Sequence, residues 1–322
     1  MAWGFALPTA VYFGRGEVQR LPQLIAGRRA ALVHARSAGV PPGEYVGRFS
    51  GIRPNPTQQN AADCAAFLRS VQAEVVVALG GGSVMDCAKA AAHGLPLIAV
   101  PTTAGTGSEV TNISVLSDDV THQKVPLADP AHYPEAAVVD PLLTRTMPPK
   151  LTAESGMDAL SHALEAQWSI HHNPASDALA QRAVELLFTW LESAFREPEN
   201  LDARSAVSEA SLLAGMAFSQ AKTAGVHACS FPLTARYGLS HGAACAFTLA
   251  AFARLNWRDD ALALRLERLQ AALGIPQTLA EAGVPRAELP ALAFACTQPR
   301  NAQNNPVPLD EATILTLLEG LA

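Results

Sequence analysis

The chain has 322 residues, 49% apolar and 16% charged, with a formal net charge of −6. That balance supports a sizeable core and argues against disorder. Without clustered Lys and Arg it argues against nucleic-acid binding, and no apolar run reaches the roughly 18–20 residues that span a bilayer.

The first residues, Met1-Ala-Trp-Gly-Phe-Ala-Leu-Pro-Thr9, lack the basic and long apolar regions of a signal peptide. The five cysteines form no CxxC pair and read as reduced thiols, so a cytoplasmic location is expected. Residues 31–34 then read as a strand. Residues 61–71 read as a helix, with apolar side chains at Ala61, Cys64, Phe67, Leu68 and Val71. A strand at 75–79, a helix at 86–93 and strands at 97–100 and 137–140 follow. Strands alternating with helices predict an α/β domain over residues 1–150, its parallel sheet covered on both faces.

Two loops of that domain carry chemistry. Gly80-Gly81-Gly82-Ser83 joins a strand to a helix; Ser83 is placed to cap the helix, with Asp86 completing a variant capping box. Three glycines let a diphosphate reach the backbone, and a helix N-terminus favours its negative charge. The turn is neither GxGxxG nor a Walker A loop, and alone it could be an ordinary strand-to-helix turn. The second loop is Pro101-Thr102-Thr103-Ala-Gly-Thr106-Gly-Ser108-Glu109. Hydroxyls this dense at a strand C-terminus suit ribose and phosphate oxygens.

Pro148-Pro149 breaks the chain, and Ala/Leu-rich segments follow. Residues 153–170, 176–195, 203–219 and 241–255 read as helices, predicting an all-α domain over 151–322. A cleft between the two domains is the expected place for a small-molecule site. Asp158 and His162, four apart, share one helix face. His227 and His241 lie fourteen apart, with Pro232 and Gly238 between them, so one uninterrupted helix cannot hold both. Singly, each histidine could be a satisfied polar side chain. Three imidazoles and a carboxylate together suit Fe²⁺ or Zn²⁺. His171 and His172 read as a solvated helix end, and His34, His93, His122 and His132 have no matching partner spacing.

These motifs resemble the iron-containing (group III) alcohol dehydrogenase family over nearly the whole chain. Residues 5–16 resemble its first strand, Pro54-Asn55-Pro56-Thr57 its Pro-Asn-Pro-Thr turn, and Gly80–Asp86 its pyrophosphate loop. Residues 101–111 resemble its second cofactor loop, and Asp158, His162, His227 and His241 fall on its four metal ligands. The resemblance implies a Rossmann-like N-terminal domain, a helical C-terminal domain and metal-dependent hydride transfer between NAD(P)H and a small aldehyde or alcohol. It implies cofactor contacts from Asn55, Gly80, Gly81, Gly82, Ser83, Asp86, Thr102, Thr103, Thr106 and Ser108, with Lys124 along the cofactor. A homodimer is plausible for such a fold.

Two departures stand out. Phe231 replaces a histidine that many members carry, which removes a proton relay. The stretch Val33-His34-Ala35-Arg36-Ser37 has no acid to bond the ribose 2′-OH and has a neighbouring Arg, so the expectation leans to NADP(H). Residues 165–174, 222–234 and 304–309 also resemble the phosphonoacetaldehyde reductase branch, with Lys222 and Arg236 as candidate cations for the substrate. Sulfonated, hydroxylated or aliphatic aldehydes are alternatives. A dehydroquinate synthase-like lyase would need more basic residues than the second domain holds. A non-catalytic dinucleotide sensor would not need the metal ligands.

Overall fold

The computed structural model describes residues 2–120 and 124–321; His122 lies outside the described residues. The chain divides into two compact units, Ala6–Met147 and Pro148–Ala322 with Met1–Phe5.

The first unit contains β1 (Ala10–Phe13), α1 (Leu21–Ile25), β2 (Ala30–His34), β3 (Gly47–Phe49), α2 (Gln58–Ser70) and β4 (Val75–Gly80). It continues with α3 (Gly82–Ala91), β5 (Leu97–Pro101), β6 (Ile113–Ser117), β7 (Lys124–Ala128) and β8 (Ala136–Val139). Six strands form one sheet in the order β1-β8-β5-β4-β2-β3, every pairing parallel. Alternate residues of each strand enter opposite layers. Val76 and Ala78 pack with Cys64, Leu68 and Met85 of α2 and α3, while Val75, Val77 and Leu79 pack with Leu21 and Ile25 of α1.

The four strands expected from apolar runs lie within one residue of their expected bounds. Three others carry weaker signals. β3 is three residues long, half-buried to exposed, and begins with Gly47. β6 and β7 form a separate antiparallel ribbon whose second strand contains Pro126 and is largely exposed. The expected cap is also corrected. The helix starts at Gly82 with Gly81 as its N-cap and no side-chain cap, so Ser83 lies too far in to cap it. Ser83 Oγ instead accepts from Asn55 N at 3.3 Å, tying the Pro-Asn-Pro-Thr turn to α3.

The second unit contains α4 (Pro149–Trp168), α5 (Pro174–Arg196), α6 (Leu201–Ala221), α7 (Gly225–Tyr237), α8 (His241–Trp257), α9 (Asp260–Leu273), α10 (Leu289–Thr297) and α11 (Glu311–Glu319). Among the described residues it holds no strand. α4 is its axis: Gly156 through Ala166 are buried without interruption, and the helix packs on α5, α6, α7 and α8. Pro148-Pro149 is the start of that helix, because Pro at the first position forfeits only an N–H that has no partner. Pro232, expected to break the chain, lies inside α7. Its missing N–H costs one bond in a helix already held by packing on α8 and α10. Gly238, left-handed at φ 71°, ends α7 instead. Gly242 then lets α8 start against α4: a Cβ there would overlap the Glu154 carbonyl. That close approach sets His241 beside Asp158. No described helix is long and apolar enough to cross a membrane.

Candidate metal centre and dinucleotide loops

Three helices deliver one cluster. Asp158 and His162 come from the buried middle of α4, His227 from the first turn of α7, and His241 from the first residue of α8. Asp158 Oδ1 stands 3.5 Å from His227 Nε2, 3.6 Å from His241 Nε2 and 3.9 Å from His162 Nδ1. Two donors each about 2.1 Å from one tetrahedral ion stand roughly 3.4 Å apart. The closer pairs match that spacing. Asp158 Oδ1 and His227 Nε2 are also buried with no hydrogen-bond partner. Two such atoms facing each other would be costly without a ligand to share. The donors present therefore fit a divalent transition metal.

Burial alone would raise the Asp158 pKa, but His162, His241 and His227 outweigh it and hold the carboxyl well below the usual range. The site thus presents an anion to an incoming cation.

The two imidazoles are aimed by partners that sequence reasoning did not assign. Fully buried Glu165 receives His227 Nδ1 at 2.5 Å and the backbone N–H groups of Val226 and His227 at 2.6 and 3.3 Å. One carboxylate thereby caps α7, whose own N-cap residue makes no side-chain bond, and holds the proton on Nδ1. Nε2 is left as a donor atom for a metal. Ser230 donates to the His227 carbonyl at 2.8 Å, and its oxygen lies 3.3 Å from His241 Nδ1. That arrangement selects the same tautomer for His241. Glu165 had a sequence signal, the spacing of seven from Asp158 along one helix; Ser230 had none.

The cluster also holds a residue outside the expected four. Donor atoms of Asp158, His227, His241 and Cys245 all lie within 4.8 Å of one another. His162 sits beside that set, its ring stacked on Phe218 and His227 with centroids 4.2 and 4.4 Å away.

In the first unit, the loops after β4 and β5 leave the C-terminal ends of adjacent parallel strands, where open sheets bind ligands. A Cβ on Gly82 would stand 2.9 Å from Thr106 Cγ2, and one on Gly81 3.1 Å from Thr103 Cγ2. Glycine is thus what lets the second loop lie against the start of α3, whose N-terminus no side chain caps. Asp86 accepts from Ser108 Oγ at 2.9 Å and from Val115 N at 3.1 Å. Buried Lys89 donates to Ser108 Oγ, Thr111 Oγ1 and the Ile113 carbonyl. Asp86 and Ser108 therefore brace the loops, while Thr102, Thr103 and Thr106 are half-buried at their rim. Lys124 opens β7.

Glu109 gives this unit a pH dependence. Burial pushes its pKa up to about 6, against 4.5 for a free side chain, and Lys89 only partly opposes this. The folded carboxyl keeps a proton that the unfolded chain has released. Its contribution is full below pH 4.5 and is lost as pH rises through about 6. Wild type should lose roughly 2 kcal/mol across that window relative to Glu109→Gln. Paired denaturant titrations at stepped pH check this; a constant difference between the proteins would contradict it.

The remaining expected residues are scattered. Lys222 is exposed at the end of α6, in a conformation (φ 65°, ψ 165°) that almost only glycine adopts. Arg236 is nine residues beyond His227 on α7, about 13 Å along the axis. Its guanidinium lies 3.4 Å from the Ala291 carbonyl. Phe231 lays its ring near-parallel to His241, 6.3 Å away. His172 pairs with Asp177, and His132 faces Ser114.

Comparison with known proteins follows the same two parts. Residues 8–141 match the profile of the iron-containing alcohol dehydrogenases, and residues 152–265 match the C-terminal profile of the Fe-containing alcohol dehydrogenase family. The 1-propanol dehydrogenase of Citrobacter freundii is 37% identical over 83% of this chain and 77% of its own. The 1,3-propanediol dehydrogenase of Klebsiella pneumoniae is 34% identical over 94% of each. Sulfoacetaldehyde reductase from Bifidobacterium kashiwanohense, solved with NAD⁺, superimposes with a TM-score of 0.92 at 35% identity, covering 100% of this chain and 99% of that one.

Proposed function

The chain belongs to the iron-containing alcohol dehydrogenase family, and from that premise we propose that it reduces a small aldehyde carrying an acidic group. It is an oxidoreductase acting on alcohols and aldehydes. The finer reading names a phosphonate or sulfonate such as phosphonoacetaldehyde as the substrate and NADPH as the reductant. The observation that carries the metal-dependent chemistry is the pair of orphaned, buried donors, Asp158 Oδ1 and His227 Nε2.

Asp158, His162, His227 and His241 would hold the ion, Fe²⁺ or Zn²⁺. A metal bound there supplies Lewis-acid polarisation of the substrate carbonyl, and a nicotinamide dinucleotide supplies the hydride. Glu165 and Ser230 keep the two imidazoles in the ligating tautomer. Gly81 and Gly82 open the backbone of the α3 N-terminus to a pyrophosphate, with Thr103 and Thr106 beside it. Asn55, held on Ser83, borders the same turn. Phe231 carries no transferable proton, so the proton that completes the alcohol comes from water or a ribose hydroxyl. Arg36 follows β2 where no acid stands, leaving room for a 2′-phosphate.

Lys222 is the cation we assign to the acidic group. Five residues before His227, it holds a strained backbone conformation that a surface lysine has no need of. Arg236, far along α7 and turned to Ala291, is the weaker candidate.

The test is a panel of phosphonoacetaldehyde, sulfoacetaldehyde, propanal and 3-hydroxypropanal, run with NADH and NADPH on metal-loaded enzyme. The expected result is a kcat/KM for the acidic aldehydes at least about tenfold above the neutral ones, a preference lost in Lys222→Gln; one charge-assisted contact is worth that much. Equal or better use of propanal would replace this reading with a simple alcohol dehydrogenase.

A further inference from the structure

We infer that Cys245 is a sulfur ligand of the same ion, which makes the centre a mixed carboxylate, imidazole and thiolate site. The inference rests on the metal-dependent reading above and adds a donor to it.

Cys245 follows His241 by four residues on α8, so the two side chains share one helix face. Asp158 and His162 repeat that spacing on α4. Cys245 Sγ lies 3.9 Å from His241 Nε2 and belongs to the set of four donors within 4.8 Å of one another. A sulfur about 2.3 Å and a nitrogen about 2.1 Å from one tetrahedral ion stand roughly 3.6 Å apart. The thiol is fully buried, and it shares the cluster with the orphaned Asp158 Oδ1 and His227 Nε2.

The chemistry is a simple exchange. The S–H bond breaks, the sulfur bonds the metal, and the proton leaves to solvent. A thiolate is a soft donor and favours Zn²⁺ over Fe²⁺. His162 would supply a further nitrogen from beside the set, 3.9 Å from Asp158 Oδ1.

Cobalt(II) provides the readout, because thiolate ligation gives it a strong near-ultraviolet charge-transfer band. The full-length protein is stripped of metal, loaded with one equivalent of Co²⁺ and scanned, beside Cys245→Ser and Cys245→Ala. The wild type is expected to show the band, and both variants to bind Co²⁺ without it. Their Zn²⁺ affinity should fall on the order of tenfold or more by chelator competition. Stoichiometric Co²⁺ in the wild type with no band overturns the sulfur ligand and leaves the metal reading standing. A band that persists in the variants also overturns it. No Co²⁺ binding to the wild type overturns both.

Discussion

An Asp158→Asn variant should lose its stoichiometric metal and on the order of 10³-fold of its turnover, the scale of removing one charge-stabilising group from an active site. The substitution keeps the volume of the side chain and removes its charge. Asp158 Oδ1 is the atom that the Nε2 of His227 and the Nε2 of His241 both face, at 3.5 and 3.6 Å. With an amide in its place, a buried divalent cation has no carboxylate in its donor set, and desolvation disfavours it. Metal analysis after gel filtration and aldehyde-dependent oxidation of NADH or NADPH check the two losses together. Thermal shift gives an independent reading. Metal at about 100 times its Kd stabilises the wild type by roughly 2.7 kcal/mol and should do nothing for the variant. Dinucleotide binding, which the proposed function assigns to the glycine loops, should persist. Stoichiometric metal with undiminished turnover in Asp158→Asn would remove the centre from the reaction.

Glu165→Gln separates aiming a ligand from being one. The carboxylate is committed to His227 Nδ1 and two backbone N–H groups at the start of α7. Glutamine keeps an oxygen for the backbone and places an amide against the imidazole, so the ligating tautomer loses its anchor. The expected loss of metal affinity is about 10–100-fold, the usual consequence of removing such a partner. Glu165→Ala should lose the helix cap as well, a further ~1–2 kcal/mol of stability. Chelator competition and denaturant unfolding measure the two effects separately. Unchanged metal affinity in the glutamine variant would show that packing alone orients His227.

Arg236 stands apart from His227 for a physical reason that does not act on Asp158 and His162. Asp158 and His162 are four apart on a helix, so local geometry already places them on one face. Lys222 and Arg236 flank His227 in sequence, but helix α7 carries Arg236 away from it at 1.5 Å per residue. Cys245 shows the converse. It shares a face with His241, yet a lone cysteine without a CxxC partner reads as an ordinary small core residue.

The parallel sheet, the helical second unit and the two glycine-bearing loops were legible from residues alone. Apolar runs and helical periodicity record which face of an element is buried, and turn residues record where it stops. β3 and β7 were not legible, because short, exposed strands bury too little to leave a pattern. Neither was the continuity of α7 through Pro232, where packing outweighs one missing hydrogen bond. The metal-binding residue types were visible in the chain. Only the packing of α7 and α8 on α4, which Gly242 permits and the Glu165 cap secures, decided which atoms face one point. Convergence of side chains 60 to 90 residues apart is a property of tertiary contacts, and no local pattern carries it.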